Sequence, residues 1–283
     1  MSSSNRFRHA DGILDLRDRE TYRQGHLCGA TWMEAEYLDE SLNQLPAAPA
    51  ELFLIGDKER IEEASIFLDM KGYSVSGSIV LQTDQDITFW REQLGQDWCQ
   101  GKDSKTLWSP SDLVTYFAES LLPEIKQHEK FPQILDLGCG GGRDAIFLAK
   151  QRCRVTAIDQ EARVIKRAKR LAQVSGAQVN FKCCNLKQGD CLSQAQFDLI
   201  TMVRYLNRDL FAKIDKMLNP GGFVLIQTFS EGAEAFGSPK NPNLLLKEGE
   251  LAEVFAGYRI IVDKIENIQD GRPVCSFIAQ KPK

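Results

Sequence analysis

The feature that most constrains the fold is a glycine-rich stretch near the middle of the chain. Residues 134–142 read ILDLGCGGG, and residues 143–150 continue as RDAIFLAK, without Gly or Pro. The apolar start is typical of a buried strand, and the segment after the glycines is typical of a helix. Glycines at 138, 140 and 142 let the backbone turn sharply and approach a ligand, because no Cβ is in the way. The stretch therefore predicts a strand, a tight turn and a helix in direct succession.

A second short strand follows this unit and ends in an acid. Residues 153–159 read CRVTAID, which places Asp159 at the carboxyl end of an apolar run. The N-terminus of the preceding helix offers unpaired N–H groups and a positive dipole end to a ligand in the turn. An acid at the end of the second strand can accept hydrogen bonds from both hydroxyls of a ribose. Together these features indicate a nucleoside-containing cofactor.

The spacing of the glycines distinguishes between such cofactors. The pattern Asp-x-Gly-x-Gly-x-Gly at residues 136–142 differs from the Gly-x-Gly-x-x-Gly of dinucleotide-binding folds, and it resembles motif I of the class I S-adenosylmethionine-dependent methyltransferases. In that family the acid and the glycines surround the methionyl part of the cofactor, and Asp159 matches the ribose-binding acid. The resemblance implies that S-adenosylmethionine is bound by Asp136, Gly138, Cys139, Gly140, Gly142, Arg143 and Asp159.

Later segments match the third, fourth and fifth strands of the same family in order, at residues 179–186, 197–202 and 219–226. Asn185 stands where the family often has an Asp near the adenine amino group, and an amide oxygen can still accept from that amine. Asn185 and the adjacent Leu186 complete the implied cofactor site. The implied fold is α/β and Rossmann-like, with a seven-stranded sheet.

Length, charge and cysteine usage limit what the chain can be. Its 283 residues exceed a usual single domain, so we expect two domains. A formal net charge of −4 does not favour nucleic acid as a partner, because broad nucleic-acid binding uses a basic field. No apolar run approaches the roughly 20 residues that cross a bilayer, so we expect no membrane partner. The eight cysteines include no Cys-x-x-Cys pair, and we expect no metal site, reduced thiols and a cytoplasmic location.

The first 90 residues resemble a second family. Residues 14–17 (LDLR), Tyr22 and residues 25–30 (GHLCGA) occur at the spacing found at the opening of a rhodanese domain, an α/β fold. Members of that family carry sulfur as a persulfide on a cysteine in a strand-to-helix loop. Matching the family's loop arginine to Arg60 puts Ile55 at the position of that cysteine, and isoleucine has no nucleophilic atom. The resemblance therefore implies a rhodanese-like domain over residues 1–90 that is catalytically inactive.

Residues 91–108 separate the two resemblances. They are polar and lack a sustained period, so we expect a linker there. Ser109, Pro110 and Asp112 then suit the N-cap, N1 and N3 positions of a helix. This helix is expected to open a methyltransferase domain over residues 109–283.

The end of the fourth strand is the expected acceptor pocket. In open α/β sheets ligands bind beyond the carboxyl ends of the strands, and Arg204 and Tyr205 follow this strand directly. We expect both to act in catalysis. Tyr205 would orient the acceptor or shield the sulfonium, since a cation favours an aromatic face. Arg204 would hold an acidic group of the acceptor or the carboxylate of the cofactor, or it would only pair with an acid at the surface.

The acceptor is predicted from a further resemblance and from chemistry. Residues 138–143 and the chain after residue 229 are similar to the tellurite-resistance branch of small methyltransferases, whose members methylate small, soft acceptors such as thiol or metalloid species. No strong general base is visible in residues 109–283, which also favours acceptors that need little deprotonation. We therefore expect methyl transfer to a small, soft molecule. The alternatives are a regulatory or sulfur-carrier-binding protein, with a protein partner on the rhodanese-like domain, and a protein or tRNA methyltransferase.

Overall fold

The computed structural model describes residues 3–188, 191–192, 195–268 and 270–283. The chain forms two compact units, Met1–Ser109 and Pro110–Lys283, which are described separately. The second unit begins one residue after the position at which we expected the methyltransferase domain to start. Among the described residues, no helix combines the length and the apolar composition that a membrane span requires.

The first unit contains a small parallel sheet and an antiparallel ribbon. The sheet has the order β3-β1-β4-β5, and the ribbon pairs β2 with β6. The elements in chain order are β1 Gly12–Asp15, α1 Arg19–Gln24, β2 His26–Leu27, β3 Thr31–Trp32, β4 Glu51–Gly56, α2 Lys58–Asp69, β5 Ser74–Val80, α3 Asp84–Leu94 and β6 Trp98–Cys99. Strand β4 is central and apolar, and five of its six residues are buried. An α/β fold for this part of the chain agrees with its sequence pattern.

The structure corrects the prediction of a linker over residues 91–108. These residues lie within the first unit, where β6 pairs with β2 and a disulfide joins Cys28 to Cys99. The backbone of the segment also makes hydrogen bonds, since the Tyr22 hydroxyl donates to the Asp103 carbonyl at 2.6 Å and the Lys105 N–H donates to the Ala30 carbonyl at 3.1 Å. The segment is held by these main-chain bonds and by the packing of Leu94, Trp98 and Leu107, whose spacing forms no sustained period.

Ile55, at the position matched to the rhodanese cysteine, is part of the core of the first unit. Ile55 is 1% exposed and packs in a cluster with Phe53 and Ile79. The turn after it is closed by a side chain of the chain itself, because Asp57 Oδ1 accepts from the Arg60 N–H at 2.9 Å and caps α2. The first turn of this helix therefore has one of its free N–H groups already satisfied.

The second unit has the predicted seven-stranded sheet. Its order is β12-β13-β11-β10-β7-β8-β9, with β13 antiparallel to both of its neighbours. The elements are α4 Asp112–Ser120, α5 Leu122–Lys126, β7 Gln133–Leu137, α6 Arg143–Lys150, β8 Arg154–Asp159, α7 Ala162–Ser175, β9 Val179–Cys183, β10 Phe197–Val203, α8 Phe211–Met217, β11 Leu218–Phe229, α9 Glu250–Val254, β12 Arg259–Asn267 and β13 Pro273–Gln280. The α/β, Rossmann-like fold predicted for this part of the chain is confirmed.

The order of the strands places a crevice beside β7. The chain runs from β7 outward through β8 to β9, and then returns to place β10 on the other side of β7. This reversal is the switch point at which open α/β sheets bind ligands, outside the carboxyl ends of the strands. The ends of β7, β8, β10 and β11 are therefore the edge at which a site is expected.

The first helix of this unit begins later than predicted. Ser111, not Ser109, is the N-cap of α4, because its Oγ accepts from the Val114 N–H at 3.3 Å. The Ser111 N–H also donates to Asp144 Oδ1 at 2.7 Å, which ties the start of α4 to the first turn of α6. Asp112 is consequently the first helical residue. The sequence around Ser109 looks equally suited, and the tertiary contact with Asp144 selects Ser111.

Candidate functional site

The glycine turn joins β7 to α6 and contacts one of the predicted catalytic residues. Gly138 has φ +73°, and a Cβ on it would lie 2.4 Å from Cγ of Tyr205, so only glycine fits beneath this ring. Gly140 has φ +51° and no heavy atom within 4 Å of the position of a Cβ. The turn is therefore packed by Tyr205 at its first glycine and open at its second. The structure thus brings Tyr205, one of the residues expected to act in catalysis, against the glycine turn.

Asp159 is held at the turn by its own hydrogen bonds. The Gly140 N–H donates to Asp159 Oδ2 at 3.0 Å, and the Glu161 N–H donates to Asp159 Oδ1 at 2.9 Å. The N–H groups of Gly138 and Cys139 both donate to the Ile158 carbonyl, so the whole turn lies against the end of β8. Each carboxylate oxygen keeps acceptor capacity for further donors, as two vicinal ribose hydroxyls would require.

Asp136 is buried beneath the turn with one oxygen unsatisfied. Its Oδ1 accepts from the Thr201 hydroxyl at 2.9 Å across the β7–β10 pair, whereas its Oδ2 has no hydrogen-bond partner among the described residues. Burial and the nearby negative charge of Asp144 raise the pKa of Asp136 to about 7. A buried carboxylate oxygen without a donor is a place for a cationic or N–H donor of a ligand.

Two further groups in the turn have raised pKa values. Burial raises the pKa of Asp144, and the Ser111 N–H and the charge of Arg143 oppose that rise. Burial and the negative charge of Asp136 raise the pKa of the Cys139 thiol, so it stays protonated and does not act as a nucleophile. Cys139 therefore contributes to the shape of the turn and not to covalent chemistry.

The segment after β9 lies beside Asp159. The Cys184 N–H donates to the Asp159 carbonyl at 2.9 Å, which brings the next residue, Asn185, to the same edge. Asn185 Oδ1 accepts from the Lys187 N–H at 3.0 Å, and Leu186 is 5% exposed. The structure thus brings both predicted residues of the adenine side towards Asp159.

The prediction of reduced thiols is wrong for half of the eight cysteines. Cys184 forms a disulfide with Cys191, and Cys28 forms one with Cys99. The Cys28–Cys99 pair links the residue after β2 to β6, and the Cα atoms of Cys184 and Cys191 are 5.8 Å apart. Neither pair has a Cys-x-x-Cys spacing, so neither could be recognised from the order of the cysteines.

Arg204 follows β10 in the left-handed region, with φ +56°. Its N–H donates to the Gln227 carbonyl at 2.7 Å, and its guanidinium carbon lies 4.7 Å from the centre of the Phe229 ring, at the end of β11. Arg272 lies 4.4 Å from the centre of the same ring. Arg204 and Tyr205 are adjacent in the chain, but they point to different parts of the edge, one to β11 and the other to the glycine turn.

Histidine is absent from this edge. His9 and His26 belong to the first unit, and His128 lies in a groove with Asp198, Pro220 and Gly221, at the opposite end of the strands. All three histidines of the sequence are thereby placed. The charged groups described at the carboxyl edge are acids and arginines, and Tyr205 and the Cys139 thiol lie there with them.

The sequence did not single out several residues that shape this edge: Ser111, Asp144, Thr201, Phe229 and Arg272. Thr201 could have been found, because it lies opposite Asp136 in the register of two strands that were both predicted. Arg272 could not, because it reaches the edge only through the antiparallel return of β13.

Comparison with known proteins agrees with the geometry. Residues 134–222 match a family model described as a methyltransferase domain. An uncharacterized protein of Schizosaccharomyces pombe is 25% identical over 95% of this chain and 93% of its own length. A ubiquinone biosynthesis O-methyltransferase of Xylella fastidiosa is 34% identical, over 37% of this chain and 44% of its own length. The chain thus matches less than half of the length of that enzyme.

Solved structures with a similar arrangement include TehB from Haemophilus influenzae, which is 17% identical, with a TM-score of 0.47 over 65% of this chain and 68% of its own. The N-methyltransferase NodS from Bradyrhizobium japonicum, in complex with S-adenosyl-L-homocysteine, is 18% identical, with a TM-score of 0.45 over 61% of this chain and 89% of its own. The matched domain contains the glycine turn, Asp136, Asp159 and Tyr205. With the open turn and the unsatisfied oxygen of Asp136 suited to the cofactor, the protein is an S-adenosylmethionine-dependent methyltransferase.

Proposed function

We propose that the protein transfers the methyl group of S-adenosylmethionine to a small, soft acceptor, either a thiol or a metalloid species. The observation that carries this proposal is the chemistry of the carboxyl edge, which has acids and arginines but no histidine. Oxygen and nitrogen acceptors with high pKa values generally need a general base near the working pH. Asp136, whose pKa is raised to about 7, is buried and is proposed to bind the cofactor instead. A thiol or a metalloid lone pair reacts with little deprotonation, so it suits this edge.

The cofactor site is proposed residue by residue. Asp136 accepts from the amino group, Asp159 from the ribose hydroxyls, and Asn185 from the adenine amine, with Leu186 packed beside the base. The remaining contacts come from the turn and the start of α6: Gly138, Cys139, Gly140, Gly142 and Arg143. When bound, the cofactor supplies a methyl group that is already activated by a sulfonium charge. The protein's share is then to hold the acceptor close and in line.

Tyr205 is proposed to face the transferred methyl group. Its ring packs on Gly138, next to the turn that would hold the methionyl part. An aromatic face attracts a sulfonium cation and excludes water from it. Asn207 Nδ2 lies 3.4 Å from the Tyr205 hydroxyl and restrains the outer end of the ring. Arg204, at the neighbouring position, is proposed to bind the acceptor.

The first unit is proposed to be an inactive rhodanese-like accessory domain that binds a protein partner. Its core contains Ile55 where the family carries its cysteine, and Asp57 caps the following helix. The cytoplasmic location stays a prediction, and the disulfides Cys28–Cys99 and Cys184–Cys191 argue against it, because disulfides are rare in reducing compartments.

A second candidate is methyl transfer to oxygen. It is favoured by the similarity to the O-methyltransferase of Xylella fastidiosa, which matches 37% of this chain. Methylation of tRNA or protein is not favoured by the structure. Such an acceptor favours a basic patch, yet Arg208, four residues after Arg204, is bound by Glu250 at 2.6 Å and by the Asn243 and Leu245 carbonyls.

The test compares matched acceptors on the full-length protein. Formation of S-adenosylhomocysteine is measured with benzenethiol, 4-mercaptobenzoate, phenol, 4-hydroxybenzoate, selenite and bulk tRNA. We expect each thiol to react at least about tenfold faster than the phenol of the same skeleton. Faster reaction of the phenols would establish the oxygen acceptor instead, and reaction with tRNA alone would overturn a small-molecule acceptor.

A further inference from the structure

The ends of β10 and β11 carry a cation that the fold does not neutralise. Arg204 and Arg272 both approach the Phe229 ring, at 4.7 and 4.4 Å from its centre. Arg272 is fully engaged, since it binds Asp270 with contacts of 2.6 to 3.1 Å and also donates to the Ser238 carbonyl. The Arg204 guanidinium makes no hydrogen bond or ion pair with any of the residues that the structure describes.

The backbone conformation of Arg204 directs its side chain, and no acidic side chain binds its guanidinium among the described residues. A non-glycine residue with φ +56° is uncommon, and here the Arg204 N–H bonds to the Gln227 carbonyl while the side chain turns towards β11. Arg204 is also exposed, so a ligand can reach it. Partial burial and the charge of Arg272 lower the pKa of Arg204, which means that its surroundings oppose the positive charge. A bound anion would relieve that opposition.

The order of the strands separates this cation from the proposed cofactor site. The glycine turn and Asp159 lie at the ends of β7 and β8, on one side of β10. Phe229 ends β11 and Arg272 precedes β13, both on the other side of β10. Asp136, with its unsatisfied oxygen, marks the side that suits the amino acid part of the cofactor. The contact of Arg204 with Phe229 therefore lies on the β11 side of β10, and the proposed cofactor site lies on the β7 side.

The charges around Arg204 favour an anion with a single negative charge. Asp144 and Asp270 both interact electrostatically with Arg204. They would repel the second charge of a phosphate monoester, whereas one carboxylate balances one guanidinium. The planar fork of a guanidinium also matches the two oxygens of a carboxylate.

We propose that Arg204 binds a carboxylate of the methyl acceptor. The bound carboxylate would lie beside the Phe229 ring, which Arg272 also contacts. The acceptor is then a small carboxylic acid, and Arg204 determines specificity by fixing its acidic end while its nucleophilic atom lies near Tyr205. This inference rests on the proposed methyl transfer to a small molecule. It does not depend on whether the accepting atom is sulfur or oxygen.

The first experiment measures binding, so that it needs no turnover. Full-length protein saturated with S-adenosylhomocysteine is titrated calorimetrically with 4-mercaptobenzoate and with benzenethiol, which lacks only the carboxylate. We expect the acid to bind at least about tenfold more tightly, because a charge-assisted hydrogen bond contributes roughly 1.5–3 kcal/mol. Arg204→Gln should remove that difference, and Arg204→Lys should restore part of it.

The matched control is Arg259→Gln, which removes the same charge from an exposed arginine at the start of β12, beside Gln280. It should leave the preference for the acid intact. Equal binding of the acid and benzenethiol by the parent would overturn the proposal. A loss of S-adenosylhomocysteine affinity in Arg204→Gln, with the preference for the acid retained, would assign Arg204 to the carboxylate of the cofactor instead.

The acceptor rates separate this proposal from the proposed function. If both acids exceed their uncharged counterparts, but the phenols exceed the thiols, the soft acceptor fails and the carboxylate site stands. If the thiols exceed the phenols without any effect of the carboxylate, the soft acceptor stands and the carboxylate site fails. The KM for 4-mercaptobenzoate should rise at least about tenfold in Arg204→Gln, with a smaller effect on benzenethiol.

Discussion

Both units contain a parallel strand that runs through a short turn into a helix, and the two turns differ in what they leave open. In the first unit, β4 leads into α2 through Asp57, whose carboxylate accepts from the Arg60 N–H. In the second unit, β7 leads into α6 through a turn in which the Cβ position of Gly140 has no heavy atom within 4 Å. Both turns are thus bonded by an aspartate of the chain, Asp57 in the first unit and Asp159 in the second, and the glycine turn differs in the open space at Gly140.

The buried acids of the two units differ in the same way. Asp15 is buried in the first unit, and Arg17 binds both of its oxygens at 2.9 and 2.6 Å. Asp136 is buried in the second unit and keeps one oxygen without a partner. A fold normally satisfies its buried polar groups, so an unsatisfied one at a switch point indicates where a ligand completes the structure.

The largest effect on activity is expected from adding a methyl group at Gly138 of the glycine turn, compared with the same change at Gly56 of the first unit. Gly138→Ala places a Cβ 2.4 Å from the Tyr205 ring at a left-handed φ, so Tyr205 and the turn must both move. We expect the initial rate of S-adenosylhomocysteine formation to fall about 100-fold or more, since small displacements of positioning groups cost that much. Gly56→Ala, in the turn of the first unit, meets its nearest atom at 3.4 Å and should change the rate less than about twofold. Equal losses in both variants would contradict the contrast between the turns.

The next effect concerns ligand binding and compares Asp159, the last residue of β8, with Asp57, which directly follows β4. S-adenosylhomocysteine at about 100 times its dissociation constant stabilises by roughly 2.7 kcal/mol, which raises the unfolding temperature by about 5–10 °C for a domain of this size. Asp159→Ala should lose this shift. Asp57→Ala removes a helix cap, so it should lower stability by about 1 kcal/mol and retain the shift. A full shift in Asp159→Ala would show that this acid does not bind the ribose.

A smaller, pH-dependent effect tests the unsatisfied acid. Burial raises the pKa of Asp136 from 3.8 to about 7, so its charged form appears only as the pH rises through 7. Since the charged form accepts from the ligand's amino group, affinity for S-adenosylhomocysteine should increase about tenfold from pH 6 to pH 8. Asp136→Asn should flatten this dependence in a calorimetric titration.

The same shift has the opposite sign for the ligand-free protein. Between pH 4 and 7 the native Asp136 keeps a proton that the unfolded chain has lost, because 3.8 is its ordinary pKa. The native state therefore binds more protons, and this group's contribution to stability falls as the pH rises. Asp136→Asn should remove that decline in the free energy of unfolding. An affinity gain with pH in Asp136→Asn as large as in the parent would contradict the first expectation, and an unchanged decline in the free energy of unfolding would contradict the second.

What the sequence could predict follows from how local the signal is. The glycine turn, Asp159 and Tyr205 were predictable, because the turn is written in consecutive residues and the other two follow strand ends. The presence of Arg272 beside Arg204 at the Phe229 ring was not predictable. Arg272 precedes β13, and β13 reaches β11 only by an antiparallel return of the chain. The structure of residues 91–108 was hidden for a related reason, since main-chain pairing between β6 and β2 leaves no side-chain period.

The smallest effect is expected from returning a cysteine to the first unit. Ile55→Cys restores the atom that the rhodanese resemblance lacks, but the position is 1% exposed and lies in a packed core. We expect the new thiol to resist brief alkylation in the native protein, as detected by intact mass, while Cys183, which is exposed, reacts in parent and variant alike. Rapid labelling at residue 55, or sulfur transfer from thiosulfate, would show that this turn can open. The two turns would then differ in their side chains and not in their accessibility.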